Sequence, residues 1–339
     1  MAGLRVGRHL RLLALSACLS LASLQPAAAD GTDLPVASRA LSSFAFGSDR
    51  QVFGKLEFLG GIVYSSSDPL LGAVSAIRFR ADREHFVAVL DTGHWLTGRV
   101  TRGADGRLGG LADVAVRSML DENGRTESNK ARMDAEGLAI GAGELLVSYE
   151  GRHRIDAYPD PGFMEAKPSR RLPFPFPRSE MRTNRGLETL AMAPEAGPLG
   201  AVPVTVAERS LDADGHLLAA VLDGPRAGTF AVRREDPWDV TDGAFLPNGD
   251  LLLLERRFRL SDGVGMRIRR FDGAAIRPGA VLDGEVLIDA DLSQQIDNME
   301  GMDVVAMEDG EIRIVVVSDD NHSILQRNLM LEFRLLQEK

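Results

Sequence analysis

Cysteine is nearly absent from this chain: Cys18 is the single one among 339 residues. No internal disulfide can form, so the fold has to be held by its buried core. Long apolar runs are missing as well. The stretch Leu12 to Leu24 falls short of the roughly 20 residues that a membrane-spanning helix needs, and no later segment qualifies. Apolar stripes of helical period are also lacking, and only Leu108 to Asn123 reads as a short helix in a connection. There is no Gly-x-Ser-x-Gly elbow, no His-Glu-x-x-His pair and no phosphate-binding glycine loop. These absences exclude the common serine-hydrolase, zinc-protease and P-loop chemistries.

The first residues show what is present. Arg5, Arg8 and Arg11 precede the apolar run, which leads to Gln25, Pro26 and Ala27 to Ala29. That is the grammar of a cleavable signal peptide over 1–29, followed by a single domain over 30–339. The protein is therefore expected in the periplasm or outside the cell. A second reading uses Leu15 to Cys18 as a lipoprotein box that would leave Cys18 acylated. Losing the leader with its three arginines takes the net charge from −10 to about −13. A surface this acidic repels nucleic acid and attracts cations.

Internal repetition decides the fold class. Five segments superpose, starting at Ser75, Glu136, Glu188, Asp242 and Glu300, with successive spacings of 61, 52, 54 and 58 residues. Each has a strand, a turn rich in Gly, Asp, Asn or Pro, and a second strand of Val, Leu, Ile or Phe, as in Asp242 to Glu255 and Glu300 to Asp319. Units of this length hold four short strands, and such units close into an all-β propeller. The strand-like flanks Lys55 to Ser66 and Ser323 to Leu335 suggest a sixth, composite blade that joins the two ends of the ring. Six blades are expected, with five or seven open. Pro168 to Met181 reads as a long irregular insertion over one face.

Repetition also places chemistry. An acid opens four of the five units (Glu136, Glu188, Asp242, Glu300), and an acid follows the second strand in all five: Asp91, Glu150, Glu208, Glu255, and Asp319 with Asp320. Equivalent propeller positions share radius and height, so the carboxylates are expected to ring the channel mouth. Crowded like charges call for a cation, and Ca²⁺ suits oxygen donors. The alternative is that each acid bonds the amides of its own turn.

His94, His153 and His322 share one register, three residues after an acid. They could be proton carriers or metal ligands, or could open the next strand. Arg152, Arg154, Arg209, Arg256 and Arg257 cluster behind the acids. They could bind a phosphate ester or pair with their neighbours.

The segments DAEGLA (Asp134 to Ala139), NRGLETLA (Asn184 to Ala191), DNMEGM (Asp297 to Met302) and SDDNHSILQRN (Ser318 to Asn328) resemble the phytase-like family of exported bacterial proteins, described by its "esterase-like activity of phytase". The resemblance extends from about Phe44 to Leu335. It implies a β-propeller and a phosphoesterase in which Glu136, Glu188, Glu300, Asp319, Asp320 and Asn321 matter, with Asp91 and Glu150 from intermediate segments. Ser75 and Asp242 depart from the Glu of the other units.

The expected roles are catalysis by Glu136, Glu188 and Glu300, substrate binding by Arg209, Arg256 and Asn321, and metal binding by Asp91, Glu150, Glu255, Asp319 and Asp320. The expected substrate is a small phosphate ester, bound by a monomer. Two other functions remain open: a non-catalytic propeller that binds a ligand or protein in the cell envelope, and a lactone or carboxylic ester hydrolase.

Overall fold

Hairpin grammar gives antiparallel blades. The computed structural model describes residues 1, 32–127, 129–181, 186–259 and 263–336. Both the leader over 1–29 and Cys18 fall outside this description, Met1 apart, as does the start of the NRGLETLA segment. Among the described residues no helix is long and apolar enough to cross a membrane.

Five sheets make five blades, one fewer than the six expected from the strand-like flanks. Their innermost strands are Val74–Phe79, Ala135–Ile140, Leu187–Met192, Asp239–Phe245 and Met299–Ala306, in blades 1 to 5. The expected pairing of the flanks is present: Leu56–Ser66 lies antiparallel to Asn328–Leu335. These two strands are the outer half of blade 5 rather than a separate blade, because Asn328–Leu335 also pairs with Ile312–Ser318 of the fifth repeat. Val36–Leu41 then adds to Leu56–Ser66 as the outermost strand. The expected helix over Leu108 to Asn123 is instead the strand Leu108–Ser118, the fourth of blade 1. Its buried positions include Leu108, Gly110, Val114 and Val116, which lie on one face of a strand, and antiparallel pairing with His94–Arg102 satisfies its backbone.

Five apolar clusters lie between neighbouring blades, one per interface, which closes the ring. Trp95, fully buried between blades 1 and 2, meets Tyr158 edge-on at 5.1 Å and Phe163 at 4.9 Å. Removing such an aromatic group from a packed interface costs about 3–5 kcal/mol. The insertion at 168–181 contains the short strand Arg170–Arg171 and one 3₁₀ turn, Arg178–Glu180. Leu172, Phe176 and Met181 anchor it on the interface of blades 2 and 3.

One irregularity recurs in all five innermost strands, where the register slips by one residue near the start. The extra residues are Ser75, Glu136, Glu188, Thr241 and Glu300. A bulge of this kind re-aims a side chain and tightens the twist. The next positions are Ala76, Gly137, Thr189, Asp242 and Gly301. Two of the glycines are forced by close approach: a Cβ on Gly137 would lie 2.6 Å from the Glu188 carbonyl oxygen, and one on Gly301 would lie 3.2 Å from Ala76 Cα. At Gly137 the backbone of the next blade leaves no room for a side chain, and at Gly301 a neighbour would have to give way.

Candidate functional site at the channel mouth

The bulges bring acids from distant repeats together. Asp134, Glu136 and Glu150 each offer an oxygen within 4.8 Å of the others, and so do Glu150, Glu188 and Glu208. Glu150 thus belongs to both groups, and its carboxylate also accepts from Gly186 N at 2.5 Å. Glu150, Glu188, Glu208 and Asp134 are all less than a tenth exposed. The strand-end acids Asp91, Glu150, Glu208 and Asp319 are equivalent, because each backbone amide bonds the carbonyl of the residue just before its own blade's innermost strand: Ala73, Asp134, Gly186 and Asn298.

Blade 4 breaks the pattern by one residue. Its bulge residue is Thr241, not Asp242, and its strand-end position is held by Arg256, not Glu255, since Asp239 pairs with Arg256. The ring therefore contains one guanidinium among four acids. Arg256 forms ion pairs with Glu300 and, at 3.8 Å, with Glu208, and it donates to Asn298 Oδ1. Asn298 Nδ2 in turn donates to Glu300 Oε1 at 2.9 Å. On the opposite side Lys130 pairs with Asp91 and lies 3.7 Å from Asp134.

Burial dominates the electrostatics. Desolvation, and then the neighbouring carboxylates, push Glu136 and Glu188 well above the usual carboxylate range. Desolvation raises Glu300 to about 7 despite Arg256, and Asp319 to about 6. Carboxylates this crowded ionise together only when cations balance them. The donor set consists entirely of oxygens within mutual reach, which fits a hard divalent cation such as Ca²⁺.

The sequence-based candidates separate into groups. Glu136, Glu188, Glu300, Glu150 and Arg256 converge on the mouth, with Asp91 and Asp319 at its edge. Arg209 is beside it, but both its Nε and Nη2 are held by Asp239. Glu255 is not at the mouth: it is buried within blade 4 between Arg267 and Arg269, whose Nη2 donates to it at 2.5 Å. Adjacent residues of a strand face opposite sides, so placing Arg256 at the mouth turns Glu255 away.

Asp320 serves its loop, accepting from His322 N at 3.1 Å, Ala73 N at 3.3 Å and Asn328 Nδ2 at 2.8 Å. Asn321 is exposed on that loop, and its amide, rather than its side chain, bonds Asp319 at 2.7 Å. Asp134 and Glu208 belong to the cluster although the candidate set lacked them. The histidines diverge: His94 bonds Thr92 Oγ1 at 3.0 Å, His153 stacks on Phe174, and His322 is exposed. Arg257 lies over Trp238, and Arg154 pairs with Asp156.

Asp242 has a different setting, deeper in the channel. Its two oxygens take both terminal nitrogens of Arg78 at 2.8 Å, and they also accept from Met302 N and Gly243 N at 2.9 and 2.7 Å. Arg78 donates further to Leu190 O and Met302 O, so this pair ties four blades together across the axis. Beyond it a cavity of about 200 Å³ opens to the far mouth.

Residues 69–322, three quarters of the chain, match the family model for phytase-like proteins, described as esterase-like activity of phytase. The chain belongs to the phytase-like family. No curated protein matches it. Among solved structures this phytase-like protein is similar to an endo-arabinase from Bacteroides thetaiotaomicron VPI-5482, at 11% identity and a TM-score of 0.48, covering 80% of this chain and 96% of the other. It is also similar to a β-propeller domain from Myceliophteria thermophila, at 10% identity and a TM-score of 0.35, covering 74% and 66%.

Proposed function

We propose that this phytase-like protein is an exported, metal-dependent hydrolase of phosphate esters, working at the acidic mouth of its channel. One observation carries the reading: Asp134, Glu136 and Glu150, and then Glu150, Glu188 and Glu208, converge from two adjacent blades as two groups that share Glu150, the oxygens of each group in mutual reach. Asp134, Glu136 and Glu150 would hold one Ca²⁺, and Glu150, Glu188 and Glu208 a second. When bound there, the cation neutralises the carboxylates and polarises the phosphoryl oxygens.

The remaining groups at the mouth supply binding and proton transfer. Arg256 orients the anionic group from the side of blade 4, with Arg209 behind it. Glu300 is the bulge glutamate outside both three-carboxylate groups, which leaves it available as general base.

The test is hydrolysis of a chromogenic phosphate monoester, abolished by chelator and restored by Ca²⁺. Turnover that persists unchanged in both Glu188→Gln and Glu300→Gln ends the proposal. A second reading draws on the groove of about 810 Å³ beside Arg256, whose wall includes Phe258, Val264, Leu292, Ile296 and Leu325. Phe258 and Leu325 are largely exposed there. An apolar wall next to a polar mouth suits a carboxylic ester or lactone with an apolar part. Running those esters beside the phosphate panel separates the two reactions. Stabilisation by Ca²⁺ without turnover of either panel is the signature of a binding propeller.

A further inference from the structure

Blade 2 carries a second polar cavity on its flank, of about 340 Å³, whose character is opposite to that of the mouth. Five guanidinium groups line it, from Arg132, Arg152, Arg154, Arg171 and Arg178, against four carboxylates. Asp121 spends its carboxylate on its own turn, accepting from Asn123 N and Arg125 N at 2.8 and 2.9 Å. Arg132 is matched by Glu127.

The remaining charges do not balance. Asp156, 2% exposed, is shared by Arg154 at 2.7 Å and Arg171 at 2.6 Å, and Arg171 also takes Glu122, the fourth carboxylate, at 3.1 Å. Arg154 is itself about nine-tenths buried, with its guanidinium 3.7 Å from the Tyr149 ring centroid, its Nη1 donating to Arg152 O at 3.3 Å and its Nη2 to Met133 Sδ at 3.5 Å. Among the described residues Arg152 has no carboxylate partner. Arg178 is held by the Phe174 ring, 5.5 Å from its centroid, and Phe174 stacks in turn on His153. A cavity lined by more guanidinium groups than carboxylates, two of them (Arg152 and Arg178) without a carboxylate partner among the described residues, stands out in a chain whose net charge is −10.

We propose that this cavity is a binding site for a phosphate-class oxyanion, distinct from the acid cluster and independent of any ester hydrolysis there. The lining cations are all arginines, whose planar forks bind tetrahedral oxyanions in pairs of parallel hydrogen bonds. The insertion at 168–181 supplies part of the wall, since Arg171 and Arg178 come from it. The site also explains why a propeller blade carries so long an insertion on its flank.

The experiment uses the full chain in chelator, titrated with inorganic phosphate at constant ionic strength against chloride, with binding read by calorimetry and by the unfolding midpoint. Saturable binding is expected, and it should weaken about tenfold or more when two charged donors are removed in Arg152→Gln/Arg178→Gln. Both side chains are exposed, so the variant's midpoint in chloride should stay where it is. Equal phosphate binding by wild type and variant, or no saturable binding by wild type, overturns the proposal. So does loss of phosphate binding in Glu188→Gln, which would put the anion at the mouth instead. An alkyl phosphate run in parallel distinguishes a free ion from an esterified one, and binding of either supports the site.

Discussion

Two sets of buried carboxylates lie a few residues apart along the same channel, and they are built on opposite terms. Asp242 has both oxygens filled by Arg78 and by two backbone amides. Among the described residues the acids at the mouth crowd one another in two groups of three, with Arg256 and Lys130 paired at the margins. A buried carboxylate with every lone pair matched stabilises a particular arrangement of the chain. One left crowded by its own kind holds free energy that a ligand can release. Sequence position alone would have grouped Asp242 with the glutamates, and its partners are what set it apart.

The sharpest way to break this comparison is to remove one side of the matched pair. Arg78→Ala strands Asp242 in the channel and is expected to cost about 3–5 kcal/mol in urea unfolding. A smaller loss would mean that the pair is not what joins the blades. At the mouth the opposite is expected: Glu188→Gln removes repulsion, so the unfolding midpoint in chelator should hold or rise. Ester turnover should meanwhile fall about 100-fold or more if the carboxylate serves catalysis. A variant that unfolds as readily as Arg78→Ala would erase the distinction.

A weaker effect follows from pH. The folded protein keeps a proton on Glu300 up to about 7, whereas an unfolded glutamate releases it near 4.5. Between those values the folded state binds more protons, so stability must fall as pH rises. In chelator the thermal midpoint is expected to drop from pH 5 to pH 7.5. Saturating Ca²⁺ is expected to flatten or reverse that slope, and a slope that ignores Ca²⁺ counts against a cation at the mouth. The smallest effect tests whether burial, rather than pairing alone, makes the channel pair strong. Arg83 and Glu308 are paired at 2.9 Å but well exposed, so Arg83→Gln should change stability by no more than about 1 kcal/mol.

The repeat was legible because each unit restates the same turn chemistry and the same acids, at a spacing that only blades of a ring share. The number of blades was not. Leu56–Ser66 looks like the start of a repeat, yet it is the fourth strand of a blade begun more than two hundred residues later. Nothing in its composition says which neighbour it will choose. The ring of acids was legible in four blades and misread in the fourth for a definite reason. The segment Asp242-Gly-Ala looks like Glu136-Gly-Leu, but the register slip puts Thr241 on the bulge and moves every later residue along by one. The same slip exchanged Glu255 for Arg256. Asp134 is the first letter of the DAEGLA motif, and only its neighbours in space, Glu136 and Glu150, mark it as part of the cluster.

The composite blade also governs how the molecule can be assembled. Its fourth strand is made early and its third, Asn328–Leu335, after all the others, so the two can meet only when the intervening four blades have been delivered. A chain still being synthesised stays an open arc, with the edge of Leu56–Ser66 awaiting its partner. Losing a short C-terminal stretch would therefore do more than fray an end, because it would withdraw the clasp of the circle.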